Sequence, residues 1–449
     1  MEEMETLFDQ LRGLMESGNY VMLKEELNEQ NPVNIAEFFE ELTAEKQLFM
    51  FRLLSKDLAA EVFSYMDSDM QEHIVNSITD NEVRNIVDEM YLDDTVDFLS
   101  EIPANLVTKV LRNTDESTRK LINHFLNYPE NSAGSIMTIE FVQFHENMLV
   151  KNAMEQLRKT GLDKETIYTC YVVNAKRVLV GVIPLRALLL ADDNAMICDL
   201  MEDHVISVNT LDDQEDIANI FKKYNLIALP VVDNEDRLVG IITVDDIVDV
   251  IEQENTEDIE KMSALLPSED EYLKTGVFTL AKNRIIWLLV LMISGTVSSA
   301  IISGYDAVLQ SSVVLASFIP ILMDTGGNAG SQASTLIIRG MALGEITTKD
   351  VLRVIWKELR VGVITGAILG FVNFLRILAL RQTDFLTNVT VSISIFFVVV
   401  LAKSVGCVLP MIAKKLKFDP AIMAGPLITT VVDSIALIIF FKISMVLIF

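Results

Sequence analysis

The sequence has almost none of the residues that bind soft metals or staple a secreted domain. Its 449 residues contain three cysteines and four histidines. Cys170, Cys198 and Cys407 lie far apart and form no CxxC pair, which excludes a disulfide framework and a thiolate metal site. The histidines (His73, His124, His145, His204) all fall in the first half. HExxH is missing, so a membrane zinc protease is unsupported. Gly-Lys is missing too, which excludes a P-loop ATPase. No enzyme chemistry is indicated. Basic residues are scarce: residues 1–282 carry 23 Lys/Arg against 56 Asp/Glu, a net of −33. Such a segment favours cationic partners and argues against nucleic acid, whose phosphates need Lys and Arg. Residues 283–449 have few charges of either sign, 13 Lys/Arg and 8 Asp/Glu, a net of +5.

What fills the second part is apolar. Ile285–Gly304 is long enough to cross a ~30 Å hydrocarbon layer at ~1.5 Å per residue. Ala307–Met323, Val361–Leu375, Phe385–Ala402 and Ala421–Phe441 are the further candidates, giving five spans. The chain opens MEEMETLFDQ, acidic and without an apolar core, so no signal peptide is expected. Arg339, Lys349, Arg353 and Lys357 share one side with Lys414, Lys415 and Lys417. By the positive-inside tendency that side is cytoplasmic. The chain is expected in the cell membrane, with the acidic part in the cytoplasm and the C-terminus outside.

Two repeats organise the first part. A 24-residue period through residues 35–126 puts Phe38, Val62, Ile86 and Val110 in register, and likewise Phe39, Phe63, Val87 and Leu111, and Met50, Ile74, Phe98 and Ile122. Helical spacing inside each unit predicts a small α-solenoid with a shared core. Residues 138–255 repeat with a 59-residue offset: CYVVNAKRVLVGVIPLRAL (170–188) aligns with LPVVDNEDRLVGIITVDDI (229–247). Each half reads helix, strand, turn, strand, helix. This resembles a tandem pair of CBS domains, an α/β regulatory module. In that family a GxxTxxD spacing suits ribose and phosphate. Thr243 and Asp246 supply it here, but the first repeat has Pro184 and Ala187, so ATP stays an open cofactor.

The membrane part carries two chemical signals. PILMDTGGNAGSQ (320–332) has three glycines and Asn328 inside an apolar run at the expected end of the second span. A broken helix there, around Gly326, Gly327 and Asn328, would offer carbonyls to cations; tight helix packing is the alternative. Asp433 sits near the middle of the last span, where a carboxylate costs about 2.5–3.5 kcal/mol and is functional by default. Gly425-Pro426, Thr429 and Thr430 precede it with a bend and hydroxyls, and Lys403 could neutralise it instead. Oxygen ligands without thiol or imidazole suit Mg²⁺, Ca²⁺ or Mn²⁺.

In sum, an acidic helical repeat, a CBS pair, an acidic connector, PILMDTGGNAGSQ and DPAIMAGPLITTVVDSIAL resemble the MgtE family of magnesium channels. The resemblance implies four parts: an acidic helical-repeat domain (1–130), tandem CBS domains (131–252), a connecting plug helix (245–282) and a pore domain (283–449). It implies a homodimer in the bilayer, with hydrated Mg²⁺ held by Asp433 of both chains. It also implies that cytosolic Mg²⁺ closes the pore by bridging Glu61, Asp93 and Asp97 of the helical domain, Asp213, Glu215, Asp246 and Asp249 of the CBS region, Glu254, Glu257 and Asp258 of the connector, and Asp419. Gly425 stands where the family often has Asn. A secondary transporter of Mn²⁺ or Co²⁺ is the alternative, and a membrane sensor that transports nothing is a third.

Overall fold

The computed structural model describes residues 2–448, apart from 269–271, 274 and 382. The chain divides into two compact units, Met1–Val250 and Ile251–Phe449.

The first unit opens with ten short helices running from Glu2–Glu16 to Glu116–Phe125. Side chains that compete for backbone N–H groups set their starts. Asp67 accepts from Met70 N at 2.7 Å, Asp115 from Thr118 N at 2.9 Å, and Thr79 with Glu82 forms a reciprocal capping box. The 24-residue period becomes a core: Phe38, Phe39, Met50, Val62, Phe63, Ile74, Val110 and Ile122 are all buried. Leu111 alone of the twelve is only half-buried. A polar contact repeats at the same interval. Gln47 donates to Phe39 O at 2.9 Å and Gln71 to Phe63 O at 2.8 Å, each closing a buried carbonyl.

Two three-stranded sheets follow. One contains β1 (Gln143–His145), β2 (Thr169–Val173) and β3 (Leu179–Pro184); the other contains β4 (Val208–Asn209), β5 (Ala228–Val232) and β6 (Leu238–Thr243). In each, the first pair is parallel and the second antiparallel, and the antiparallel register shifts at equivalent places, Val172/Val173 and Val231/Val232. Gly181 and Gly240 are equivalent as well: a Cβ there would meet Met201 Sδ at 2.5 Å and Met137 Sδ at 2.7 Å. The 59-residue offset is thus visible in the backbone. The helix Val244–Met262 continues from β6.

Among the described residues, five helices are long and apolar enough to cross a membrane: Val277–Gly304, Val313–Ala342, Thr348–Leu380, Phe385–Lys415 and Pro420–Leu447. The all-α repeat, the α/β pair and the five-span helical part together are the multidomain fold class that the sequence predicts. The third and fourth spanning helices approach backbone to backbone. A Cβ on Gly366 would lie 2.9 Å from Phe396 O, one on Gly370 2.9 Å from Ser392 O, and one on Gly362 3.1 Å from Val400 Cα. In lipid, where burying apolar surface gains nothing, such close packing is what joins helices.

The second span differs from its expected place. Residues 307–311 belong to a separate short helix, Asp306–Ser311, and the span runs from Val313 to Ala342. The glycines therefore lie inside it rather than at its end.

Candidate ion path and acidic clusters

The glycine stretch is a continuous helix, Ile319–Ala342, with no break that frees carbonyls. This corrects the broken-helix expectation in favour of packing. A Cβ on Gly326 would come within 2.8 Å of Val398 and 3.0 Å of Val432, and one on Gly330 within 2.9 Å of Ile428. The glycines seat the second spanning helix against the fourth and fifth. At Gly327 the same closeness serves chemistry: a Cβ would stand 3.1 Å from Thr429 Cγ2 and 3.8 Å from Asp433 Oδ1.

Asp433 is half-buried, flanked on its own helix by the buried Val432, Ala436 and Leu437. The hydroxyls of Thr429 and Thr430 both donate to Pro426 O, at 2.8 and 3.0 Å, leaving their lone pairs free to accept. Gly425-Pro426 does not bend this helix; it starts it, Gly425 being the first residue of Gly425–Leu447. Lys403 is buried on the fourth span, and among the described residues it makes no ion pair with Asp433. Asn328 is exposed and donates to Asp324 Oδ1 at 3.2 Å. Asp324 is also the charged group that acts electrostatically on Asp433. The sequence reading missed Asp324, whose signal was present: a second acid inside a membrane span.

A second cluster lies at the connecting helix. Lys261 Nζ sits 2.5 Å from Glu257 Oε1 and 2.7 Å from Asp419 Oδ2. Burial opposes its charge, but the hydrogen bonds it donates to Asp419 and Glu257 outweigh burial and hold the ammonium above its usual range. Asp258 is pushed up to about 6, first by burial and then by Asp419, with Lys261 opposing. Glu254 and Glu257 add to the same repulsion, so four predicted acids converge here with a lysine the sequence reading passed over. The helix ends at Met262, with Ala264 in the left-handed region at φ 56°, well short of the expected bound at 282, and Ile259 is exposed. Gly425 has φ +45°, and a Cβ there would meet Met262 O at 2.4 Å. An Asn side chain has no room at that place.

A third cluster lies in the first unit. Glu61, Asp93, Asp94, Glu140, Glu165 and Asp245 act together on Tyr65 and Tyr91, and burial and these charges hold both phenols above their usual range. Glu165 is pushed up to about 7, and Asp94 and Asp246 to about 6, each mainly by burial and then by the neighbouring carboxylates. Asp93 is raised for the same reasons. Asp93 Oδ1 and Glu165 Oε2 are buried with no hydrogen-bond partner. Such orphaned anionic oxygens are costly unless a cation or proton reaches them. Asp249 acts on Asp246. Asp94, Glu140 and Glu165 were not anticipated, since only the fold brings them to Asp93 and Asp245.

Asp97 is exposed beside this group, while Asp213 caps the helix Gln214–Tyr224 by accepting from Glu215 N at 2.9 Å. Thr243 Oγ1 donates to Asp246 Oδ2 at 2.6 Å, so the nucleotide pair is closed on itself. Among the described residues no three acids, histidines or cysteines form a ready metal cage.

Comparison with known proteins agrees across the chain. A family described as "Divalent cation transporter" (MgtE) matches residues 319–443, "MgtE intracellular N domain" matches 30–131, and "CBS domain" matches 133–194 and 197–253. "Magnesium transporter MgtE" of Thermus thermophilus is 35% identical over 444 residues, 98% of each chain. The Bacillus subtilis protein of that name is 32% identical, covering 96% of this chain and 95% of its own. Among solved structures, the soluble part of a magnesium transporter is 33% identical with a TM-score of 0.53, covering 56% of this chain and 99% of its own. The cytosolic domain of the Mg²⁺ channel MgtE in complex with ATP is 36% identical with a TM-score of 0.52, covering 54% and 99%. With full-length relatives at this identity and matching modules in the same order, the chain belongs to the MgtE family.

Proposed function

We propose that the protein is a Mg²⁺-selective channel for uptake, closed by Mg²⁺ on its cytoplasmic side. The observation that carries this is Asp433: a carboxylate inside a spanning helix, half-buried, beside glycine backbone and two hydroxyls. A divalent ion gains about 4.6 kcal/mol entering across ~100 mV, negative inside, so influx needs no other energy source. Asp433 contributed by each of two chains suits a homodimer in which the two chains share one path. The soluble unit would lie in the cytoplasm and the C-terminus outside, following the basic loops. ATP, if it binds, would meet Thr243 and Asp246 in the second CBS repeat. The test is Mg²⁺ flux into liposomes carrying purified protein. Flux should rise with an inside-negative potential; a flux indifferent to potential would refute a channel.

Closure is assigned to the two acidic clusters. Regulatory Mg²⁺ would supply positive charge to the carboxylates around Asp93 and Glu165, and to Glu254, Glu257, Asp258 and Asp419. Like charges there repel, and an ion bound only in the compact arrangement favours it by mass action.

Two predictions follow from these charges. Removing the lysine ammonium by Lys261→Met leaves the second cluster more negative, so Mg²⁺ should close the channel at a severalfold lower concentration. An unchanged closing concentration would mean that Lys261 does not compete with the ion. The second prediction concerns pH. Carboxylates whose folded values reach about 6 to about 7 keep protons that the unfolded chain has lost. The folded chain thus binds more protons between pH ~4 and ~7, and stability falls as pH rises through that window. In chelator, the melting temperature should be lower at pH 8 than at pH 5.5, and millimolar Mg²⁺ should close the gap. A gap that Mg²⁺ leaves untouched would detach these acids from ion binding.

A further inference from the structure

One face of the second spanning helix is polar and uncovered. Asp324, Asn328, Gln332, Thr335 and Arg339 fall within an arc of about 80° at 100° per residue, and all five are exposed. The opposite face, with Leu322, Gly326, Gly330, Ala333 and Ile337, is buried against the bundle. An aspartate and an arginine facing hydrocarbon would be expensive, so a charged face on a spanning helix meets water or protein rather than lipid.

Asp324 lies one turn before Gly327, the residue that touches Thr429 and stands 3.8 Å (as a Cβ) from Asp433 Oδ1. Its Oδ1 accepts from Asn328 Nδ2 at 3.2 Å, which holds the carboxylate along the polar face. It acts electrostatically on Asp433, and among the described residues neither aspartate is in an ion pair with a lysine or arginine. Two carboxylates without a cationic partner, one on each of two packed spanning helices, make a place inside the membrane where a visiting cation is favoured.

We propose that Asp324 is a second ion-contacting carboxylate of the transport path, positioned by Asn328 and lying one helical turn beyond Asp433 on the side of the Tyr305–Ser312 connection. This rests on the channel reading above. With the soluble unit in the cytoplasm, that side is the outer one, so Asp324 meets the arriving ion first. An outer carboxylate raises the local concentration of divalent ions and hands them inward, and repulsion between successive ions helps the inner one leave.

The test pairs flux with access. In liposomes, Asp324→Asn should raise the external Mg²⁺ giving half-maximal flux by about tenfold while keeping most of the flux at saturation, as expected when a recruiting charge is lost. In a chain with Cys170, Cys198 and Cys407 replaced by Ser, Asp324→Cys should react with a charged thiol reagent added outside, and Mg²⁺ should slow the reaction. If the parent protein conducts, an unchanged half-saturation or an unreactive position 324 overturns the proposal. If the parent protein does not conduct but position 324 is reactive and shielded by Mg²⁺, the channel reading fails while the ion contact stands. Should position 324 be unreactive in that case as well, both fall.

Discussion

An Asp433→Asn chain is expected to conduct almost no Mg²⁺ at any concentration, while running as the parent protein does on size exclusion. The substitution keeps size and shape, so the packing of Val432 and Ala436 against the second spanning helix is untouched. It removes the one charge this helix places within the membrane ahead of Lys442. At ~4 Å and an effective dielectric constant of ~20, a divalent ion gains about 8 kcal/mol from a carboxylate. If only about 2.7 kcal/mol survives the cost of shedding water, its loss is already a hundredfold. Potential-driven uptake of Mg²⁺ into liposomes measures this. Flux within a few-fold of the parent would remove Asp433 from the path and leave Asp324 as the carboxylate to examine.

Neutralising Glu254, Glu257 and Asp258 together, by Gln, Gln and Asn, should give a channel that stays open at cytoplasmic Mg²⁺ that closes the parent. Asp258 is held up to about 6 by burial and by Asp419, so its charged form is poorly tolerated until a cation arrives. Lys261 supplies one positive charge, shared between Glu257 and Asp419, which leaves the group net negative. The end of this helix also packs on the start of the last span, Met262 O filling the place where a Cβ of Gly425 would be. Charge on the connector therefore bears on the helix that carries Asp433. Patch recordings with stepped internal Mg²⁺ give the closing concentration, and millimolar Mg²⁺ should protect residues 245–282 from protease in the parent but not in the variant. Closure of the variant at the parent's concentration would reduce this helix to a linker.

Periodic features were legible in the sequence because repetition averages out noise. Phe38, Val62, Ile86 and Val110 at 24-residue intervals, and Gly181 against Gly240, could be aligned without knowing any contact. Asp433 was legible for a different reason: its surroundings are so apolar that one acid stands out. The glycines of the second span misled, because a glycine reads as a break by propensity, whereas here neighbouring helices occupy the missing side-chain volume. The bound on the connecting helix failed for lack of a stop signal, the left-handed turn falling on an alanine. Glu140 and Glu165 had no signal at all. They become part of an acidic group only through folding, from chain positions far from Asp93 and Asp245. Lys261 was overlooked as an ordinary last-turn lysine, a type that usually points to solvent.

The glycine contacts between the third and fourth spanning helices also separate the two halves of the molecule by temperature. The soluble repeat is held by burying Phe38, Phe63 and Ile74 away from water, a driving force that fades on cooling. Gly362, Gly366 and Gly370 meet backbone directly, in a solvent of lipid tails, so their attraction is dispersion and does not draw on water. Chilling should therefore loosen the helical repeat before it loosens the packed spanning helices. Under the proposed gating, a cell growing in the cold would keep the path while the proposed Mg²⁺-dependent closure weakens.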